Sequence, residues 1–222
     1  MTERDRAVYD PDCKRCPRLA AYLAQAQERH PDYWCRPVAP FGDAAARIVL
    51  VGLAPGLHGA NRTGRPFTGD HAGILLYETL HDLGLATQRQ SVSATDGLRL
   101  RGARISNAVK CAPPENKPQP DEIRRCNAYL EAELARLPGA RVWVALGRIA
   151  HDAVLMALHR KRSEFVFAHG AEHRLDLEHH LLDSYHCSRY NTQTRRLTAA
   201  MFRAVLERAC ELAHLRARVP SP

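Results

Sequence analysis

No apolar run in the chain approaches the roughly 20 residues that a membrane-spanning helix needs, so the sequence offers no bilayer span. Its first ten residues, MTERDRAVYD, are too charged for a secretory leader, and a cytoplasmic location is expected. Internal repeats are absent, and aromatic residues are sparse at 6%. Acidic residues are the minority: 24 Asp and Glu face 32 Lys and Arg, leaving a net charge of +8. That balance disfavours a polycationic partner and favours a polyanion such as nucleic acid, although an Arg-rich proteome produces the same bias.

What is present reads as one domain. The 222 residues are enough to bury a real core, and 45% of them are apolar. RIVLVGL (47–53), RISNAV (104–109), VWVAL (142–146) and HLLDSYH (180–186) read as strands. Between them lie helical patterns: HAGILLYETLHDLGL (71–85) with Asp70 as its N-cap, PDEIRRCNAYLEAELARL (120–137), and RIAHDAVLMALHR after Gly147. A closing helix is expected from Thr192 or Leu197 to Leu215. Strands alternating with helices predict an α/β fold, a three-layer α/β/α sandwich around a central four-stranded, mainly parallel sheet. TQRQSVSATDG (87–97) is expected to be a flexible loop. The Ala/Gly/Asp-rich stretch just before residue 47 and the Arg-rich tail after 215 are expected to be surface segments. Ligands of such sheets bind at the carboxyl ends of the strands, which here carry GLAPG, SNAVKC, LGR and SYHCSRYN.

The stretch GLAPGLHGANRTGRPFTGD (52–70) follows a strand with five glycines, two prolines, one aromatic and one carboxylate. A phosphate cradle is the first expectation, but the Walker pattern needs a Lys that is missing, and the glycine spacing is not that of a dinucleotide loop. What remains are exposed backbone amides, the face of Phe67 and the carboxylate of Asp70, a set suited to a planar heterocycle. Of the seven cysteines, Cys13 and Cys16 form C-x-x-C, while Cys111 and Cys126 flank the Pro-rich CAPPENKPQPDEIRRC. Four thiolates in this arrangement can hold an iron–sulfur cluster or, alternatively, zinc.

GLAPG with HGANRTGRPFTGD, SNAVKCAPP with NKP, and SYHCSRYNTQTRRLT together resemble the motifs of the uracil-DNA glycosylase superfamily. The likeness is greatest to its family 5, the iron–sulfur enzymes of bacteria and archaea. It runs from Cys13 to about Leu206. It implies a 4Fe–4S cluster, structural in role, on Cys13, Cys16, Cys111 and Cys126, with Cys35, Cys187 and Cys210 outside the pattern. It also implies a monomeric glycosylase that excises uracil, and deaminated purines such as hypoxanthine, from DNA and leaves an abasic site.

The resemblance implies a role for each site residue. Phe67 would stack on the flipped base and Asn107 would read its edge. Backbone amides at Leu53, Ala54 and Gly56 would bind its carbonyls. Asp70 would stabilise the sugar cation and orient water, and His186 would stabilise the departing base. Arg189, Arg195 and Arg196 would contact phosphates, with Tyr190 or a neighbour filling the gap in the duplex. Many relatives in the wider superfamily have an acidic or amide side chain near the position of Ala54, so the residue that activates water stays open. HCS at 186–188 departs from the HPS common in the family. Each residue also has a plainer reading: Asp70 as a helix cap, Asn107 as a core amide, His186 as a strand-end histidine, Phe67 as core, the arginines as a solvated face. Two other functions fit the same features, an electron-transfer protein and a DNA-binding module without catalysis.

Overall fold

A computed structural model describes residues 8–215; the expected surface tail after 215 lies outside them. The centre is a sheet of four parallel strands, β2 (Ile48–Gly52), β3 (Ala103–Asn107), β4 (Val142–Leu146) and β6 (His180–Ser184). Every residue of β2 and β4 is buried, which is why these strands read as continuous apolar runs rather than alternating ones. Two short edge strands, β1 (Phe41–Gly42) and β5 (Glu172–Arg174), pair antiparallel with β3 and β6, giving the order β1-β3-β2-β4-β6-β5.

Alternate residues of each parallel strand serve opposite faces. Ile48, Leu50, Val144 and Leu182 pack against α3 (His71–Asp82) and α7 (Ala199–Leu212) through Leu76, Leu80, Phe202 and Leu206. Val49, Val51, Trp143 and Leu181 face α4 (Pro120–Leu134) and α5 (Arg148–Ala157) through Leu130, Leu134 and Val154. The fold is therefore the expected α/β sandwich. Truncating a fully buried leucine such as Leu50 to Ala would cost about 2–5 kcal/mol. Among the described residues no helix is long and apolar enough to cross a membrane.

The sheet has six strands instead of the expected four, because two- and three-residue edges carry no periodic signal. β1 is admitted by Gly42, where a Cβ would stand 2.6 Å from the Ala103 carbonyl oxygen. An additional helix, α1 (Pro17–Arg29), begins directly after Cys16 with Pro17 in its first turn. Its Leu19 and Leu23 bury a third apolar cluster with Val109, Ala112 and Tyr129.

The segment 87–97, expected to be flexible, is pinned by a buried ion pair. Arg65 Nη1 donates to Asp96 at 2.7 Å and to Ser91 at 3.0 Å, and its Nη2 reaches the Ala94 carbonyl at 2.8 Å. The expected closing helix is α7, close to the later of its two expected starts, Leu197; the short α6 (Arg189–Gln193) precedes it, with the fully buried Leu197 between them.

Candidate active site and cysteine cavity

The carboxyl ends of β2, β3 and β6 converge on one cleft of about 460 Å³. After Gly52 the chain makes the single turn α2 (Ala60–Thr63) and returns through Phe67 to α3. Phe67 has φ +54, a conformation that L residues seldom adopt, and its surroundings enforce it. Tyr77 Oη donates to the Pro66 carbonyl at 2.8 Å, and Thr63 Oγ1 to the Thr68 carbonyl at 3.0 Å. A Cβ on Gly73 would stand 1.9 Å from the Phe67 carbonyl oxygen. One on Gly52 would stand 2.5 Å from Asn107 Oδ1 and 2.6 Å from Phe67 Cζ. The glycines therefore give space to side chains.

Asp70 is the N-cap of α3, its Oδ1 accepting from the Gly73 amide at 3.3 Å. Its other oxygen lies under the loop: a Cβ on Gly59 would be 2.2 Å from Oδ2, and one on Gly56 3.4 Å. That Gly56 position is also 3.8 Å from Asn116 Oδ1, so Asp70 and Asn116 approach the same backbone point. The capping reading of Asp70 and its place in the cleft are both true.

Asn107, the last residue of β3, is 4% exposed, and its Oδ1 has no hydrogen-bond partner. A buried acceptor left unpaired costs on the order of 1–3 kcal/mol, so an internal role as a satisfied core amide is excluded for that oxygen. The His186 ring stacks on Phe67 at 5.7 Å and 29°. Burial pushes its pKa below the usual histidine value, offset only in part by Asp70, so the imidazole is held neutral. Asn191 Nδ2 donates to the His186 carbonyl at 2.8 Å, and the His71 ring meets Thr192 Oγ1 at 3.0 Å, tying α6 to both walls.

The cleft lining thus includes Leu53, Ala54, Gly56, Phe67, Asp70, Asn107, His186 and Arg189. The backbone N–H groups of Leu53, Ala54 and Gly56 have no acceptor among the described residues. Tyr190 is 70% exposed on α6 and outside this lining, as are Arg195 and Arg196. The Arg196 guanidinium lies 4.6 Å over the Tyr185 ring, beside a neighbouring pocket.

A second cavity collects Cys13, Cys16, Cys111 and Cys126 between α1, the Pro-rich loop and α4. The Lys110 amide donates to Cys126 Sγ at 3.3 Å. The Cys111 thiol is pushed up by burial first, then by Cys126, Cys13 and Cys16, so the four sulfurs feel one another. Elsewhere among the described residues His151, His173 and Asp183 bring their ligand atoms within 4.8 Å of one another. The other cysteines are buried elsewhere. Cys35 accepts from Asn61 at 3.4 Å, while burial raises the thiols of Cys187 and Cys210 to about 12 and about 11.

Residues 39–210 match the model of the Uracil DNA glycosylase superfamily. The chain belongs to that superfamily. A type-5 uracil-DNA glycosylase of Thermus thermophilus is 51% identical over 208 residues, covering 91% of this chain and 94% of the relative. One from Pyrobaculum aerophilum is 42% identical, covering 89% and 88%. A type-4 uracil-DNA glycosylase of Archaeoglobus fulgidus is 39% identical, but over only 49% of this chain. The likeness to family 5 read from the motifs is thus carried across most of the chain.

Within this glycosylase fold, the cleft residues that were not singled out in advance include His58, His71 and Asn116. Asn116 sits at φ +57 after Glu115 at φ +54, in the turn of the Pro-rich loop. The flanking prolines in PPENKP were the available signal. The same loop carries Cys111, so the cysteine cavity and the cleft share one segment.

Proposed function

We propose that the protein is a monofunctional DNA glycosylase that draws uracil, and deaminated purines of the same edge chemistry, out of DNA and hydrolyses the N-glycosidic bond, working as a monomer. The observation that carries this reading is Asn107 Oδ1, a buried acceptor without a partner in the floor of the cleft. Uracil supplies its missing donor, the imide N3–H, while the amide Nδ2 reaches the adjacent carbonyl. Cytosine has a lone pair at N3 and is refused. Hypoxanthine repeats the N–H and C=O edge, which supports a substrate range beyond uracil. Phe67 stacks on the base, and the free amides of Leu53, Ala54 and Gly56 serve its carbonyls.

As the C1′–N1 bond breaks, positive charge grows on the sugar and negative charge on the base. Asp70 stabilises the first, and Asp70 and Asn116, which meet at Gly56, orient the attacking water. Its oxygen bonds to C1′, one proton passes to Asp70, and the base leaves as an anion that is later protonated. A neutral His186, stacked beside the base on Phe67, donates a hydrogen bond to the carbonyl where that charge collects. Among the described residues no lysine lines the cleft, and Lys110 Nζ is held by Ser106 and Glu133, so no amine is placed for a Schiff base and the abasic strand stays uncut. Arg189 at the cleft mouth and the exposed Tyr190, Arg195 and Arg196 meet the DNA, the arginines at phosphates and Tyr190 or a neighbour in the emptied stack.

Cys13, Cys16, Cys111 and Cys126 would hold a 4Fe–4S cluster, a reading supported by their gathering from separate segments into one cavity. A cluster would join α1 to the loop bearing Asn116; its contribution is structural.

Release of base from labelled duplexes carrying U·G, U·A or hypoxanthine·T tests the reading. Strand breaks are expected only after alkali, with C·G untouched. Binding of DNA without release of any base would favour the non-catalytic module.

A further inference from the structure

We propose that His169 is a positioning residue for His186: it holds the backbone turn on which His186 sits, by accepting the Tyr185 N–H. The inference rests on the role given to His186 above. His186 lies two residues beyond β6, and its backbone is clamped from both sides. On one side Asn191 donates to the His186 carbonyl. On the other the Tyr185 amide donates to His169 Nδ1 at 3.1 Å, while the His169 ring stacks on the Tyr185 ring at 5.0 Å and 20°. The neighbouring Ser184 carbonyl is already used by the Gly147 amide at 2.8 Å.

Acceptance at Nδ1 requires that nitrogen to be free of a proton, so His169 must be neutral with its hydrogen on Nε2. Burial favours that state, holding its pKa below the usual value. The surroundings agree. The adjoining pocket is lined by Arg148, Phe167, Tyr185, His186 and Arg196 and by no carboxylate. Arg148 lies over Phe167 at 5.4 Å and Arg196 over Tyr185 at 4.6 Å, so two cations face this region.

The loop carrying His169, between α5 and β5, is fixed by a second histidine in the opposite state. His151, 1% exposed, places Nδ1 at 2.8 Å from Asp183 Oδ1 and Nε2 at 3.1 Å from the Phe165 carbonyl. Both partners only accept, so both nitrogens carry protons and His151 is an imidazolium paired with Asp183. Burial opposes that charge, and the Asp183 bond outweighs it, raising the pKa. His173 Nε2 takes the other Asp183 oxygen at 3.0 Å. With both its nitrogens engaged, His151 has no lone pair for a metal ion, and the trio is a staple. Backbone bonds from Gly170 to the Asp183 carbonyl and from Asp183 to the Ala171 carbonyl complete the seam. Acid therefore attacks the turn at one point: protonated His169 points a donor at the Tyr185 donor, and the turn beneath His186 is released.

Two full-length variants separate the possibilities. His169→Asn keeps a neutral acceptor near the position of Nδ1; His169→Leu keeps bulk and removes it. Single-turnover release of uracil from a U·G duplex is expected to fall roughly tenfold in His169→Leu with DNA affinity unchanged, the size expected for one part-buried donor left unpaired. His169→Asn is expected to recover most of the rate and to begin its acid-side decline at lower pH than wild type. The amide resonance of Tyr185 should move with the protonation of His169 in wild type, in addition to any step from the adjacent His186, and should keep only the latter in His169→Asn. A wild-type rate in His169→Leu, or equal behaviour of the two variants, would overturn the proposal. If the wild type releases no base at all, the catalytic reading fails, and the Tyr185 titration alone decides whether His169 holds the turn.

Discussion

The carboxylate of Asp70 lies so close beneath Gly59 that a single added methyl there would stand 2.2 Å from its Oδ2. No shift of a few tenths of an ångström removes such an overlap, so Gly59→Ala must turn the carboxylate away from the cleft or move the loop. Excision is expected to fall on the order of a hundredfold, as for a displaced catalytic group, while the melting temperature changes by only a few degrees. Wild-type turnover in Gly59→Ala would mean that the observed carboxylate position is not the working one.

That relationship also shows what the sequence could and could not disclose. The four parallel strands were legible because IVLVG and VWVAL are buried on both faces and read as unbroken apolar runs. Asp70, Asn107 and His186 were legible as helix-cap and strand-end residues and Phe67 as the one aromatic of the Gly-rich motif, and the cleft brings them together. β1 and β5 were not, being too short to show a period. Asn116 was hidden because its approach to Asp70 depends on two consecutive positive-φ residues. The pinning of 87–97 was hidden because Arg65 and Asp96, 31 residues apart, look like ordinary surface charges until the fold buries them together.

The Arg65–Asp96 pair gives a stability prediction. Burial opposes ionisation of Asp96, but the Arg65 bond and amides of Leu98, Val92 and Ser93 outweigh it and hold the pKa at about 2. Its stabilising effect is complete above the ordinary carboxylate value and lost as pH falls toward about 2. Asp96→Asn leaves Arg65 buried without its counter-ion and is expected to cost about 3–5 kcal/mol. Urea unfolding at pH 7 checks the size, and the variant should show less loss of stability than wild type between pH 4 and 2.

His186 predicts the direction of pH dependence in catalysis. Its pKa is depressed by burial, so the native state takes up protons less readily than the unfolded chain. Stability tied to this group is present above the ordinary histidine value and declines as pH falls through the lowered one. Charging the buried ring over the same range destabilises the wall it forms with Phe67, so excision should fall on acidification and be flat from pH 7 to 8. His186→Phe is expected to slow release about a hundredfold or more and to lose its share of the acid decline.

For the cysteine cavity, Cys16→Ser is expected to bleach the brown colour of a cluster and lower the thermal midpoint before it alters chemistry. Absorbance near 400 nm, metal analysis and melting curves on the same preparation check this. Wild-type stability in a colourless Cys16→Ser would refute a structural role, and zinc in the purified protein would refute the cluster.

The most direct measurement is single-turnover uracil release from a labelled U·G duplex by wild type and Asp70→Asn, with duplex affinity and melting recorded for both. Asp70→Asn keeps the side-chain oxygen that caps α3, so fold and DNA binding should persist while release falls by roughly three orders of magnitude. Release within a few-fold of wild type would contradict the account, because the charge beneath Gly59 would then not be what drives the bond to break.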